Sequence, residues 1–167
     1  MKKIKNILKK FYKNLLNYKN IKHFEQQFPN IKFDKQYYDC FLSKMDIYNC
    51  KLERIKLKNL KCRILKENGK WEKLPLNQSP DYCYLQTGDK EPYIKYHSLV
   101  DKTLDNCSHS CEKFEQLIKT LEESGYDDNY PICVKKNNVI MDGQHRASYL
   151  MNKYGEDYEI TVLKIYY

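Results

Sequence analysis

Glycine and proline are scarce, five of each in 167 residues, and no two cysteines stand in a CxxC spacing. The first shortage argues against a low-complexity or loop-rich chain, and sixteen tyrosines need an interior and its rim to pack in. The seven cysteines are odd in number and widely scattered, which fits reduced thiols better than a disulfide framework. One tight group, Cys107-Ser108-His109-Ser110-Cys111, brings two thiols and an imidazole together. A structural zinc site wants four ligands, usually as two separated pairs, and no second pair is present. No run of about 18 uncharged apolar residues occurs, so a spanning helix is not expected. The start, MKKIKNILKKFYKNLL, has its apolar positions broken by lysine and lacks the continuous core of a secretory signal. The chain is therefore read as cytoplasmic, with room for one compact domain and an appendage.

What is abundant is lysine, and it is unevenly placed. Residues 1–73 hold 20 Lys and Arg against 7 Asp and Glu, a net of +13, whereas residues 74–167 hold 10 against 15, a net of −5. Residues 1–24 carry eight Lys and no acid. Their apolar residues Ile4, Ile7, Leu8, Phe11, Leu15 and Leu16 recur at three- and four-residue spacing, the pattern of a helix with one apolar stripe. Such a helix could lie on an anionic membrane surface or on nucleic acid, or pack its stripe on the domain and leave its lysines in water.

Further along, LKNLKCRILKENGKWEKL reads as a hairpin turning at Asn68-Gly69. PLNQSP reads as a loop, and YCYLQTG and PYIKYHSLV as short strands. A helix capped by Ser108 or Ser110 carries Phe114, Leu117, Ile118 and Leu121 on one face and ends at Gly125. A second hairpin joins Ile132–Val134 to Val139–Met141 through Asn137-Asn138. Ala147, Leu150, Met151 and Tyr154 then mark one face of a helix that stops at Gly155, and EITVLKIYY closes the chain as a strand. The order strand, helix, hairpin, helix, strand defines an α+β unit.

The chemistry concentrates in Asp142-Gly143-Gln144-His145-Arg146-Ala147-Ser148, where a strand turns into a helix. The unpaired N–H groups and positive dipole end of a helix start can hold a phosphate. Gly143 lets the backbone come close, and His145 and Arg146 add donors and charge. Asp142 could hold a Mg²⁺ that bridges phosphates or accept a proton from an attacking hydroxyl; it could equally cap the helix, with Arg146 ion-paired at the surface. His97 could contact phosphate or simply pack. Lys135 and Lys136 read as solvated strand-end charges, and Tyr82, Tyr84, Tyr93 and Tyr96 as core and rim, or as a platform for a base or sugar.

VIMDGQHRASYL, with the helix ending at Gly125 and Pro131-Ile132 before it, resembles the core of the ParB/sulfiredoxin superfamily over roughly Tyr93 to Tyr167. That resemblance implies a small mixed sheet flanked by helices, with a turn that opens a helix over a nucleotide phosphate. Sulfiredoxins carry a catalytic cysteine where this chain has Gln144, so sulfinic acid repair is not expected. Segregation ParB proteins carry Glu-Arg-Arg after the glycine and then a helix-turn-helix domain, and this sequence shows neither. The free serine kinase branch, with Asp-Gly-His-His-Arg, is most similar: Asp142, Gly143, His145 and Arg146 match in order. The likeness implies a kinase of a small hydroxyl compound, an amino acid or a sugar, using ATP or CTP with Mg²⁺.

Under that reading Asp142 and His145 are catalytic, with Asp142 also the metal ligand. Gly143, Gln144, His145, Arg146, Ser148, His97 and Ser98 bind the nucleotide. The branch uses a His-Glu pair where this chain has His97-Ser98. Ser98 cannot act as the base, so Asp101 or Glu91 supplies it, or only binding remains. The expected organisation is a basic helix at 1–28, an extension packed on the core at 29–80, and the nucleotide-binding core at 81–167. Two other functions stay open. One is a non-catalytic nucleotide-binding accessory of surface-polysaccharide synthesis, peripheral at the inner membrane face. The other is a nucleic-acid-binding or nuclease-like protein, which the −5 charge of the motif half disfavours.

Overall fold

A computed structural model describes residues 22–32, 50–103 and 109–166; the lysine-rich stripe of residues 1–21 and Cys107 lie outside them. Strand β1 (Cys50–Lys56) is followed by a 3₁₀ turn, Leu57–Asn59, and by the hairpin β2 (Lys61–Leu65) and β3 (Trp71–Pro75). Helices α1 (Pro80–Thr87), α2 (Glu91–Thr103) and α3 (Cys111–Ser124) lead to β4 (Ile132–Lys135) and β5 (Ile140–Asp142). Helix α4 (Gln144–Tyr154) and β6 (Glu159–Ile165) complete the order.

Four strands form a mixed sheet in the order β1-β6-β4-β5, with β6 and β4 parallel and the outer pairings antiparallel. The fold is α+β. Strand β1, drawn from the segment expected to be an extension, is a strand of the core sheet, paired with β6 from Cys50–Ile165 to Lys56–Glu159. The hairpin β2–β3 forms its own two-stranded sheet, and a single parallel bridge, Lys61 to Val139, joins it to the loop before β5.

Strand β4 lies at the centre, and Ile132, Cys133 and Val134 are all buried because the sheet is covered on both faces. On one face Ile132, Val134, Ile140 and Val162 pack with Leu57, Leu60 and Leu76 and with Ala147, Leu150 and Met151 of α4. On the other, Cys133, Leu163 and Ile165 meet Phe24 from a short helix at residues 22–27. Both turns follow from their residues: Gly69 has φ +75° and Asn138 has φ +62°, values glycine and asparagine tolerate.

Two expectations are overturned. YCYLQTG and PYIKYHSLV are the helices α1 and α2, not strands. Helix α1 starts because the Ser79 hydroxyl accepts from the Tyr82 N–H and Pro80 occupies the first helical position; it ends at Gly88 in a left-handed conformation. In α2 the buried residues are Tyr93, His97 and Val100, a spacing of four and three that outweighs the apparent alternation along PYIKYHSLV. Ser110, one of the two expected caps, starts α3 by accepting from Lys113, and Gly125 ends it.

Among the described cysteines, Cys62, Cys83 and Cys111 are free thiols. Burial, with the Asp81 charge behind it, pushes the Cys62 thiol up to about 12, whereas Cys83 is exposed. In the native protein at pH 8, peptide mapping after iodoacetamide treatment should find Cys83 alkylated at least about tenfold faster than Cys62, since only an accessible thiolate reacts. Equal rates would show that the β2–β3 hairpin opens readily.

Candidate functional site

Helices α1, α2 and α4 converge on a single buried point. Asp81, in the first turn of α1, is fully buried. One of its oxygens, Oδ1, lies 3.0 Å from His97 Nε2 of α2 and 2.9 Å from His145 Nε2 of α4. The other oxygen, Oδ2, accepts from the Gln144 amide. The Tyr93 hydroxyl of α2 stands 3.1 Å from the same His145 nitrogen, and the Tyr93 and Phe114 rings stack in parallel 5.4 Å apart beneath it.

A third imidazole joins them. His109, two residues before α3, lies with its ring 4.4 Å from that of His97 and 5.7 Å from that of His145. Its Nδ1 is 2.5 Å from Asp101 Oδ1, and its backbone N–H donates to Asp101 Oδ2 at 2.9 Å. Asp101, carried near the end of α2, thus holds the ring by two bonds. Tyr93, His97, His109, Ser110, Cys111 and Lys90 line a cavity of about 260 Å³ beside the stack. His97 Nδ1 is buried without a hydrogen-bond partner.

The electrostatics follow from burial set against these partners. Burial alone would raise the Asp81 carboxyl, but His145 and His97 outweigh it and hold the group well below the usual carboxylate range. At Asp101 burial again opposes ionisation, and the two bonds from His109 prevail, so its carboxyl is also lowered. Burial lowers His109, with Asp101 pulling the other way. His109 is therefore a neutral imidazole at pH 7 whose Nδ1–H points at a carboxylate and whose Nε2 carries the lone pair. Burial, reinforced by the Asp81 charge, raises the Tyr93 phenol, which stays protonated.

Of the residues singled out in the sequence, the fold brings His97, Gln144, His145 and Asp101 to this point, with exposed Ser98 on the rim of the cavity. Asp142, Gly143 and Arg146 sit on the other side of the turn. Arg146 Nη2 is 3.0 Å from Asp142 Oδ2, its Nη1 donates to the Tyr130 carbonyl, and the guanidinium lies 4.3 Å over the Tyr130 ring. Asp142 does not cap α4; Gly143 takes the cap position, without any side-chain hydrogen bond. Ser148 is fully buried, 3.2 Å from the Ser79 hydroxyl, and is turned into the core. Glu91 is exposed at the start of α2.

Sequence reasoning missed Asp81. Its signal was an acid in register with Tyr84 and Leu85, three and four positions on, at the place where a helix buries its apolar face. His109 was noticed only as a metal-like neighbour of cysteines, and its partner proved to be Asp101.

No known protein family matches the sequence, and no curated protein matches it. Among solved structures the chain is similar to one described as a crystal form of a Pnob8-like ParB-N domain, at 15% identity and a TM-score of 0.39. The similarity covers 71% of this chain and 31% of that one. No helix among the described residues is long and apolar enough to cross a membrane.

Proposed function

We propose that the protein is a nucleotide-dependent phosphotransferase acting on a small hydroxyl compound, with its reaction centre at the histidine-lined cavity. The observation that carries this reading is the Asp101–His109 pair. The DGQHR turn has the makings of a phosphate site but lacks the carboxylate base that free serine kinases place after the upstream histidine. A neutral imidazole oriented by a buried-edge carboxylate is a general base of the kind that position needs. His109 directly precedes Ser110, the cap of α3, and His145 is the second residue of α4, so the starts of two helices face the same stack. Both supply N–H groups and positive dipole ends suited to phosphate oxygens.

In the step itself His109 Nε2 takes the proton of the acceptor hydroxyl as that oxygen attacks the terminal phosphorus. The bond to the bridging oxygen breaks, and the nucleoside diphosphate leaves with the electron pair. Tyr93 and Ser110, which line the cavity, offer hydroxyl groups to phosphate oxygens. Mg²⁺, when bound with the nucleotide, would neutralise phosphate charge; Asp142, the carboxylate of the motif, is paired to Arg146 on the other side of the turn and would have to leave that partner to hold it.

The test is transfer of terminal phosphate from ATP, CTP or GTP with Mg²⁺ to a panel of amino acids and sugars, run beside thermal unfolding. A triphosphate should raise the unfolding midpoint in wild type and in His109→Gln, while His109→Gln lowers transfer by about 10²-fold or more. If no nucleotide is bound or consumed, the reading is wrong. Binding without transfer would favour the accessory role.

A further inference from the structure

We propose that Asp81, His97 and His145 form a binding site for a first-row transition-metal dication, of which Zn²⁺ is the natural probe. The three ligating atoms, one carboxylate oxygen and two imidazole Nε2 atoms, all lie within 4.8 Å of one another. They come from three different helices, so the convergence is made by the packing and not by one local spacing. Both imidazoles aim at the same oxygen, Oδ1, from 3.0 and 2.9 Å, rather than one at each oxygen of the carboxylate. Around a tetrahedral Zn²⁺ with bonds of about 2.0 to 2.1 Å, neighbouring ligand atoms stand about 3.3 Å apart, so the two oxygen–nitrogen distances open by a few tenths of an ångström and the two nitrogens, within 4.8 Å of each other, adjust to the same spacing. The second carboxylate oxygen already accepts from Gln144, the outer bond that fixes a ligating carboxylate.

Charge points the same way. Asp81 is a fully buried carboxylate, and a dication is a natural counter-charge for such a group. A dication held by two neutral imidazoles and one carboxylate leaves a net positive centre. Two nitrogen donors select Zn²⁺, Co²⁺ or Fe²⁺ over Mg²⁺ or Ca²⁺, which prefer oxygen ligands. Three protein ligands leave a fourth position for water or a ligand oxygen, as catalytic zinc centres do, and the Tyr93 hydroxyl, 3.1 Å from His145 Nε2, borders it. The site does not depend on the phosphotransfer reading, since metal can be bound whether or not a nucleotide is.

The experiment uses the full chain with its thiols kept reduced, loaded with Zn²⁺ or Co²⁺ and dialysed. Wild type should retain one metal ion per chain. His97→Gln and His145→Gln should each bind at least about tenfold more weakly with unchanged circular dichroism, as loss of one ligand requires. The Co²⁺ protein should show visible bands without an intense thiolate charge-transfer band, a readout that needs no variant and stands even if a substitution fails to fold. No retained metal overturns the proposal, as does undiminished binding by both variants. A thiolate band overturns it too, because it would assign the ion to the cysteines around His109.

Discussion

Gly143→Ala should cost about 2 to 5 kcal/mol of folding stability, through two separable causes. The residue sits at φ +88°, where an L side chain costs about 1 to 2 kcal/mol. A Cβ there would also stand 2.8 Å from Ile132 Cγ1 and 2.9 Å from Arg146 Nη2, and such overpacking typically adds about 1 to 3 kcal/mol. Neither neighbour can give way freely. Ile132 is fully buried in the central strand, and Arg146 is held by Asp142 and by the Tyr130 carbonyl. Gly69→Ala is the matched control, because it has φ +75° with nothing within 4 Å of the added carbon and so carries only the conformational cost. Urea unfolding of the two variants isolates the steric part; equal losses would mean that the turn relaxes and that the glycine is there for its backbone alone. The same geometry explains why Arg146→Ala is a poor probe of phosphate binding: it strips Asp142 and Tyr130 of a buried partner before any ligand is considered.

What the sequence made legible is what local chemistry decides. Asn68-Gly69 and Asn137-Asn138 announced their hairpins, and the three-and-four spacing of Phe114, Leu117, Ile118 and Leu121 announced α3. The DGQHR turn was visible as a glycine between a short β-branched run and a helical stripe. Helices α1 and α2 were misread because tyrosine, at 82, 84, 93 and 96, favours strands, and Tyr82 and Tyr84 stand two apart as in a strand. The helical register of Tyr93, His97 and Val100 is set by packing on α1 and α3, which no window of nine residues contains. The site was half legible for the same reason. Asp81 and His145 are 64 positions apart, and nothing local marks them as partners. Asp101 or Glu91 was expected to act as a base directly, whereas the fold sets Asp101 against the His109 imidazole, a pairing that nothing local in the sequence marks. The pairing of β1 with β6 is likewise a long-range fact, since Lys-rich CKLERIK shows only weak alternation.

Asp81→Asn should lower stability by about 3 to 5 kcal/mol when measured with chelator present, so that bound metal contributes nothing. The side chain keeps its shape, so the cost is not a cavity. What changes is that a buried carboxylate accepting from His97, His145 and Gln144 becomes an amide with a single acceptor oxygen. The new NH₂ group has to face a donor, either the Gln144 amide or an imidazole N–H, and at least one buried polar hydrogen loses its partner. Asp157→Asn is the telling comparison. Asp157 also has two cationic neighbours, Lys58 at 2.7 Å and Lys56 at 3.1 Å, yet its side chain is 69% exposed. Water replaces those partners at little cost, so Asp157→Asn should change stability by less than about 1 kcal/mol. If Asp81→Asn proves as mild as Asp157→Asn, the helices α1, α2 and α4 are held by their apolar faces alone, and the buried carboxylate is kept for what it binds rather than for what it supports.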